Sequence, residues 1–380
     1  MQCLTEDLAT FTAAADAWLR REPVLHNVLL TLVTDRLSGD VPLSGDEQFV
    51  RVVDGGAAVG AAVHTPPRGP LLGAVSVAAA RALADHFVRA APPLAEVHGP
   101  VPAVGEFAER YAECAHLVAV PGTAQRIFEL DAVRSPVGVP GRARPATTAD
   151  RDLLITWAAA FLAETAPGGP PVNPARQIDA RLPHGDLLWL WEQAGTPVAT
   201  AWLSRPVAGV VRVSGVYTPP KWREHGFASA CVAHVSQHAL NTGAAACTLY
   251  TDLANPTTNR IYQVLGYRPI ADVPQWRFVA PRRPSHGRSW SCGGGRVRRT
   301  MTRRAPQIHD RLAGWVRGGP SRWRRVARRH RARRWGRTER RPCRPGPPGT
   351  SRSSTGRPRC ARRRPGCPPA RRRAGAGWGR

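Results

Sequence analysis

Lysine is nearly missing from this chain, with Lys221 the only one in 380 residues. Long apolar runs are missing too: nowhere do eighteen or more apolar residues follow one another, so no membrane-spanning helix is expected. The opening MQCLTEDLATF has no basic segment and no apolar core, which speaks against a secretory signal. None of the eight cysteines stands in Cys-x-x-Cys spacing, and no histidine pair accompanies them at metal-finger distances. No metal is therefore expected, and Cys3, Cys114, Cys231 and Cys247 are expected as reduced, packed thiols in a cytoplasmic protein.

Arginine, by contrast, is plentiful and unevenly placed. The formal net charge of +27 would by itself suggest a nucleic-acid partner. Residues 281–380, however, hold 32 arginines against two acids, Asp310 and Glu339, while the first 280 residues hold 22 basic and 25 acidic side chains. The body is thus mildly acidic, and the charge belongs to the tail. The tail lacks apolar periodicity and is rich in Arg, Pro, Gly and Ser, so it is expected to be disordered. Arginine without lysine, mixed with Pro, Gly, Cys and Trp, is also what GC-rich DNA encodes in a frame not selected as protein. A frameshift or read-through product is the expectation. A nucleic-acid partner follows only if the tail is genuine.

The body alternates helical and strand patterns. Residues 5–21 and 24–37 have helical spacing, and two strands at 49–53 and 57–64 flank the hairpin signal Asp54-Gly55-Gly56. A helix over 75–90, a strand over 95–99 and a helix over 104–115 follow, then a closing strand pair at 116–120 and 123–130. The pattern restarts near Arg144. A helix carries Leu153, Leu154, Trp157, Phe161 and Leu162, and strands follow at 186–193, 197–204 and 209–218. The expected organisation is an N-terminal α/β domain over 1–135, a second domain over 142–280 and the tail over 281–380, with a weak internal duplication.

The stretch after the 209–218 strand carries the chemistry. Pro219 and Pro220 end the strand's pairing, Gly226 permits positive φ or close backbone approach, and Ala228, Ser229 and Ala230 open a narrow first helical turn. Unpaired N–H groups beside a helix N-terminus form an anion site suited to a pyrophosphate, and Arg223 adds a charge near it. Downstream, a strand at 247–251 leads into DLANPTTNRIYQVLGY, residues 252–267.

Arg223-x-x-Gly226-x-Ala228, after a strand ending Val216-Tyr217-Thr218, resembles the acetyl-CoA loop of the GNAT superfamily of N-acyltransferases, which reads Gln/Arg-x-x-Gly-x-Gly/Ala. The resemblance covers about residues 144–280. It implies a mixed α/β fold with a splayed central sheet flanked by helices, here preceded by a degenerate half of the same kind. It implies acetyl-CoA as cosubstrate and, as acceptor, an amine on a small molecule or peptide, handled by a monomer or homodimer with no membrane partner. By the same resemblance Val216, Tyr217 and Thr218 face the pantetheine arm. Arg223, Glu224, His225, Gly226, Phe227, Ala228 and Ser229 surround the pyrophosphate, Asn255 and Asn259 contact the cofactor, and Tyr262 protonates the departing thiolate.

Glu192 and Asp252 are candidates to take the amine's proton, and Trp189, Trp191 and Trp202 are candidates to line an acceptor pocket. His234 and His238 have a metal-capable spacing but no third ligand, and are expected to be structural. The competing reading is a non-catalytic CoA-type fold with a basic nucleic-acid-binding tail.

Overall fold

Ten elements run through the first half of the body, and ten of the same kind and order run through the second. The computed structural model describes residues 1–90, 93–165 and 172–281, so the readings of the tail lie outside the described residues. The first half comprises β1 (Gln2–Glu6), α1 (Leu8–Leu19), α2 (Asn27–Leu37), β2 (Gln48–Asp54), β3 (Ala57–His64) and β4 (Leu71–Leu72). It continues with α3 (Val77–Arg89), β5 (Glu96–His98), α4 (Ala103–Ala115) and β6 (Val118–Leu130). The second half answers with β7 (Arg142–Pro145), α5 (Arg151–Thr165), α6 (Pro174–Asp179), β8 (Leu188–Gln193), β9 (Thr196–Leu203) and β10 (Val210–Tyr217). α7 (Phe227–Asn241), β11 (Ala246–Asp252), α8 (Pro256–Val264) and β12 (Arg268–Val279) complete it.

All twelve strands join one sheet in the order β1-β2-β3-β4-β5-β12-β6-β11-β10-β9-β8-β7. From either end, equivalent strands appear in the same order, which is the signature of a duplicated unit related by a pseudo-two-fold axis. The final strands are exchanged. β12 runs antiparallel between β5 and β6, and β6 runs antiparallel between β12 and β11. The two halves thus share one sheet, and the described residues form one compact unit.

Turn chemistry fixes the outer hairpins. Gly55 and Gly56, with φ of +55° and +81°, join β2 to β3, giving the twist that a two-residue hairpin requires. In the second half Ala194 and Gly195, both at positive φ, join β8 to β9.

The expected strand pair at 116–120 and 123–130 is corrected to a single strand, β6, thirteen residues long. Pro121 and Gly122 resemble a turn in the sequence, but both neighbours of this strand come from the distant second half, and pairing with Trp276 carries the chain straight through. β1, β4 and α6 were absent from the sequence reading. β1 is five residues long, β4 two and α6 six, too short for periodicity to register.

Candidate functional site

β10 changes partners partway along. Over Val210–Arg212 it pairs in parallel with β11, ending at Arg212 opposite Thr248. From Val213 to Tyr217 it pairs antiparallel with β9, and no pairing with β11 remains. The edges of β10 and β11 therefore diverge beyond Arg212, leaving backbone groups on both strands without ladder partners.

A bulge sharpens the divergence. The register with β9 shifts between Ser214 and Tyr217, and Gly215 sits at φ +55°. A Cβ on Gly215 would stand 2.2 Å from the Trp202 ring, so that ring occupies the space a side chain would need. The bulge also swaps faces. Val211 and Val213 pack with α7, and Val216 rejoins that cluster, whereas Tyr217 packs with α5 beside Trp157. The sequence reading missed this bulge, whose one visible sign is Gly215 inside a strand pattern.

The chain then passes Pro219 and a 3-10 turn at Pro220–Trp222 to the start of α7. Glu224 lies at φ +68° and Gly226, the N-cap, at +78°. No side chain caps α7, unlike α1, α3, α6 and α8, which Asp7, Ser76, Asn173 and Asn255 cap. The first-turn N–H groups of Phe227, Ala228 and Ser229 are consequently left without intrahelical acceptors. Gly226 also lies close to the segment joining the halves: a Cβ there would come within 3.1 Å of Val139.

Arg223 turns away from these N–H groups. Its Nε donates to the Thr218 carbonyl at 2.9 Å, its Nη2 bonds both carboxylate oxygens of Glu164 at 2.8 Å, and its guanidinium lies 5.8 Å from the Tyr217 ring centroid. It braces the loop against α5. His225 donates from Nδ1 to the Arg223 carbonyl at 2.6 Å and stacks on Phe227. The Thr218 hydroxyl, at the end of the open strand, is buried without a hydrogen-bond partner among the described residues.

Across the divergence, Asn255 accepts from the Thr258 N–H at 3.1 Å, and Pro256 follows at the first helical position. Asn259 Nδ2 donates to the carbonyls of Asp252 and Asn255 at 2.8 and 2.7 Å, while its Oδ1 is buried without a partner among the described residues. Both asparagines hold the strand-to-helix junction in place. α7 and the end of α8 are tied together by a buried hydrogen bond of 2.7 Å between Ser236 Oγ and the Tyr267 hydroxyl. That bond fixes Tyr262, whose ring meets Tyr267 edge-on at 5.9 Å and packs on the same cluster as Val216, Trp222 and Phe227. Tyr262 is half-buried, its hydroxyl makes no hydrogen bond among the described residues, and burial pushes its phenol up to about 12.

Other candidates fall elsewhere. Glu192, on β8, is ion-paired with Arg144 at 3.2 Å and Arg142 at 3.5 Å, and β9 stands between β8 and β10. Asp252 stands exposed at the end of β11 and accepts from the Ala254 N–H at 2.8 Å. The three tryptophans do not form one pocket: Trp189 and Trp191 pack with α7, and Trp202 packs on the opposite face with α5 and α6. The rings of His234 and His238 lie 5.1 and 4.8 Å from Trp189. Among the described residues there is no group of three or more His, Cys, Asp or Glu able to hold a metal, and no helix long and apolar enough to cross a membrane.

The site is thus a divergent strand pair leading into the start of α7. Residues 154–267 match the family model of the acetyltransferase (GNAT) family. Among solved structures, a Drosophila protein is 13% identical, with 73% of this chain and 98% of that one covered at a TM-score of 0.54. A GCN5-related N-acetyltransferase from Sphaerobacter thermophilus is 19% identical over 72% of this chain and 94% of its own, at 0.50. An acetyltransferase from the GNAT family of Colwellia psychrerythraea is 11% identical over 73% and 100%, at 0.49. At such identities the likeness is one of fold. No curated protein sequence matches the chain.

Proposed function

We propose that the chain is an acetyl-CoA-dependent N-acetyltransferase that passes the acetyl group directly to an amine in a ternary complex. The observation that carries this reading is the open edge of β10 from Val213 to Tyr217, running straight into the uncapped start of α7. An extended amide-bearing arm can pair with that edge as an added strand, through Val216 and Thr218. A pyrophosphate can take the free N–H groups of Phe227, Ala228 and Ser229 at the positive end of α7. The buried, partnerless Thr218 hydroxyl and Asn259 Oδ1 supply one possible donor and one acceptor for the same ligand.

In the reaction the amine nitrogen bonds to the acetyl carbonyl carbon, and the carbon–sulfur bond breaks. Tyr262 gives its proton to the departing sulfur, and the amine proton leaves toward solvent, with Asp252 exposed on that route. Juxtaposing the two substrates makes their encounter effectively unimolecular and supplies a large part of the rate. A backbone N–H near Val216, at the bulge in β10, is the candidate to stabilise the oxyanion of the attacked carbonyl.

Thiol release from acetyl-CoA, followed with the full chain over a panel of amines, tests this. Turnover with at least one amine is expected, and it should fall on the order of 100-fold in Tyr262→Phe. Unchanged turnover in that variant would remove Tyr262 from its role. Failure of the wild-type chain to bind acetyl-CoA would remove the reading altogether.

A further inference from the structure

On the face of the sheet opposite α7, just where β10 and β11 part, lies a group of polar side chains rich in hydrogen-bond donors. Arg212, the last β10 residue paired to β11, points to this face, since its neighbours Val211 and Val213 pack with α7. Trp202 on β9 lies on the same face, and the Arg181 guanidinium sits 5.8 Å from its ring centroid. The first half of the chain closes the group from above. Arg212 Nη1 donates to Asn27 Oδ1 at 3.2 Å, and Asn27 and Asp35 stand two turns apart on one side of α2.

The donors outnumber the acceptors. Neither Arg181 nor Arg212 has a carboxylate within 4.0 Å among the described residues; their recorded bonds go to the Gln177 carbonyl and Asn27 Oδ1. Other partly buried arginines of this chain are ion-paired, Arg36 with Glu47, Arg126 with Asp272 and Arg144 with Asp150. Asn27 is fully buried, yet its Nδ2 has no acceptor among the described residues. The Tyr250 hydroxyl, on the β11 side, also makes no hydrogen bond among the described residues. Asp35 is the nearby carboxylate, and it feels both guanidiniums. Burial lowers the pKa of Arg181 and Arg212, and repulsion from Arg212 lowers Arg181 further, which is the condition an added anion would relieve. Unsatisfied buried donors are costly, so an array of them aimed at one place implies an acceptor-rich ligand.

We infer that Arg181, Arg212 and Asn27 form an anion-recognition site for the acceptor, so that the acetylated amine also carries an oxyacid group, a carboxylate or a phosphate. This inference rests on the acetyltransferase reading above, because it assigns the acceptor side of the same divergent strands. Planar guanidiniums suit either oxyacid through paired N–H bonds. Asp35 stands at the same group, fit to hold the ammonium form of the amine before its proton is lost. The first half of the chain, which has no phosphate loop of its own, thereby acquires a role in choosing the acceptor.

The test uses the full chain and acetyl-CoA, with acceptors in matched sets: amino acids, the amines left when their carboxylate is removed, and amino alcohols with and without a phosphate. The expected result is kcat/KM on the order of 10- to 100-fold higher for one class of oxyacid than for its uncharged counterparts. The preferred class identifies the oxyacid. Arg212→Gln and Arg181→Gln are each expected to raise the KM of the charged acceptor about tenfold or more, with the Kd for acetyl-CoA unchanged. Equal turnover of charged and uncharged partners by the wild-type chain would overturn the inference, and that comparison needs no variant to fold. Retention of the full preference by Arg212→Gln would overturn it as well. Absence of acetyl-CoA binding would instead sink the underlying acetyltransferase reading, so the two failures are told apart.

Discussion

Burial pushes the Tyr262 phenol up to about 12, so the residue keeps its proton through the neutral and mildly alkaline range in which a free amine exists. In the proposed mechanism the acid form is the active one, and a raised pKa extends it upward. Loss of activity through ionisation of Tyr262 is therefore expected only above about pH 11, whereas the fall toward low pH follows protonation of the acceptor amine. A kcat profile measured from pH 6 to 11 checks this. An alkaline fall near pH 9 that vanishes in Tyr262→Phe would contradict it. Gly215 is equally exposed to test. An alanine there meets both a positive φ and the Trp202 ring at 2.2 Å, and is expected to cost about 2–4 kcal/mol in denaturant unfolding. Asp150 receives two bonds from Arg144, at 2.8 and 2.9 Å, and closes the Thr147 capping box, which holds its carboxyl down at about 2. A depressed folded pKa contributes stability that is present above the ordinary value near 4 and is lost as pH falls through about 2. Asp150→Asn should remove about 2 kcal/mol at pH 7 and flatten that acid limb in thermal melts. Tyr262, Gly226 and the loop residues were singled out because each lies in a local strand–loop–helix pattern of the sequence. Arg181, Arg212, Asn27 and Asp35 were not, because they come from three separate regions and no motif joins them.

At the level of elements, α3 and α7 are equivalents with different starts. The β10–α7 connection runs through nine residues to an uncapped helix, whereas Gly73–Ser76 joins β4 to α3 in four. That shorter turn is already filled. His26 Nε2 accepts from the Ala74 N–H at 3.0 Å while its Nδ1 donates to the Leu19 carbonyl at 2.9 Å, the Ser76 hydroxyl caps α3, and the Trp18 ring lies where a Gly73 side chain would go. The first half thus keeps the fold and has no free cradle for a pyrophosphate. Arg223 does for the open loop what His26 does for the closed one, bracing it from the side. Because the Arg223–Glu164 pair is largely exposed, Arg223→Ala is expected to weaken acetyl-CoA binding by only about three- to tenfold in a calorimetric titration, with kcat little changed. Most helices, and the strands β2, β3, β5, β8, β9, β10 and β11, were readable from their periodicity and turn boundaries. β6 was misread as a pair because Pro121 and Gly122 carry a turn signal that long-range pairing with β12 overrides.

The whole molecule is one twelve-stranded sheet in which two equivalent halves exchange their last strands. The repeat of helix-then-sheet order was visible in the sequence, but the exchange was not, since nothing local records which strand will lie between β5 and β6. Its consequence is that β6 of the first half runs beside β11 and so forms part of the second half's own sheet. The measurement that bears most directly on the central claim is the crystal structure of the full chain with acetyl-CoA. One molecule per chain is expected, with its pyrophosphate on the N–H groups of Phe227, Ala228 and Ser229 and its pantetheine arm between β10 and β11. Acetyl-CoA seated at the start of α3, or outside the β10–β11 divergence, would contradict the account.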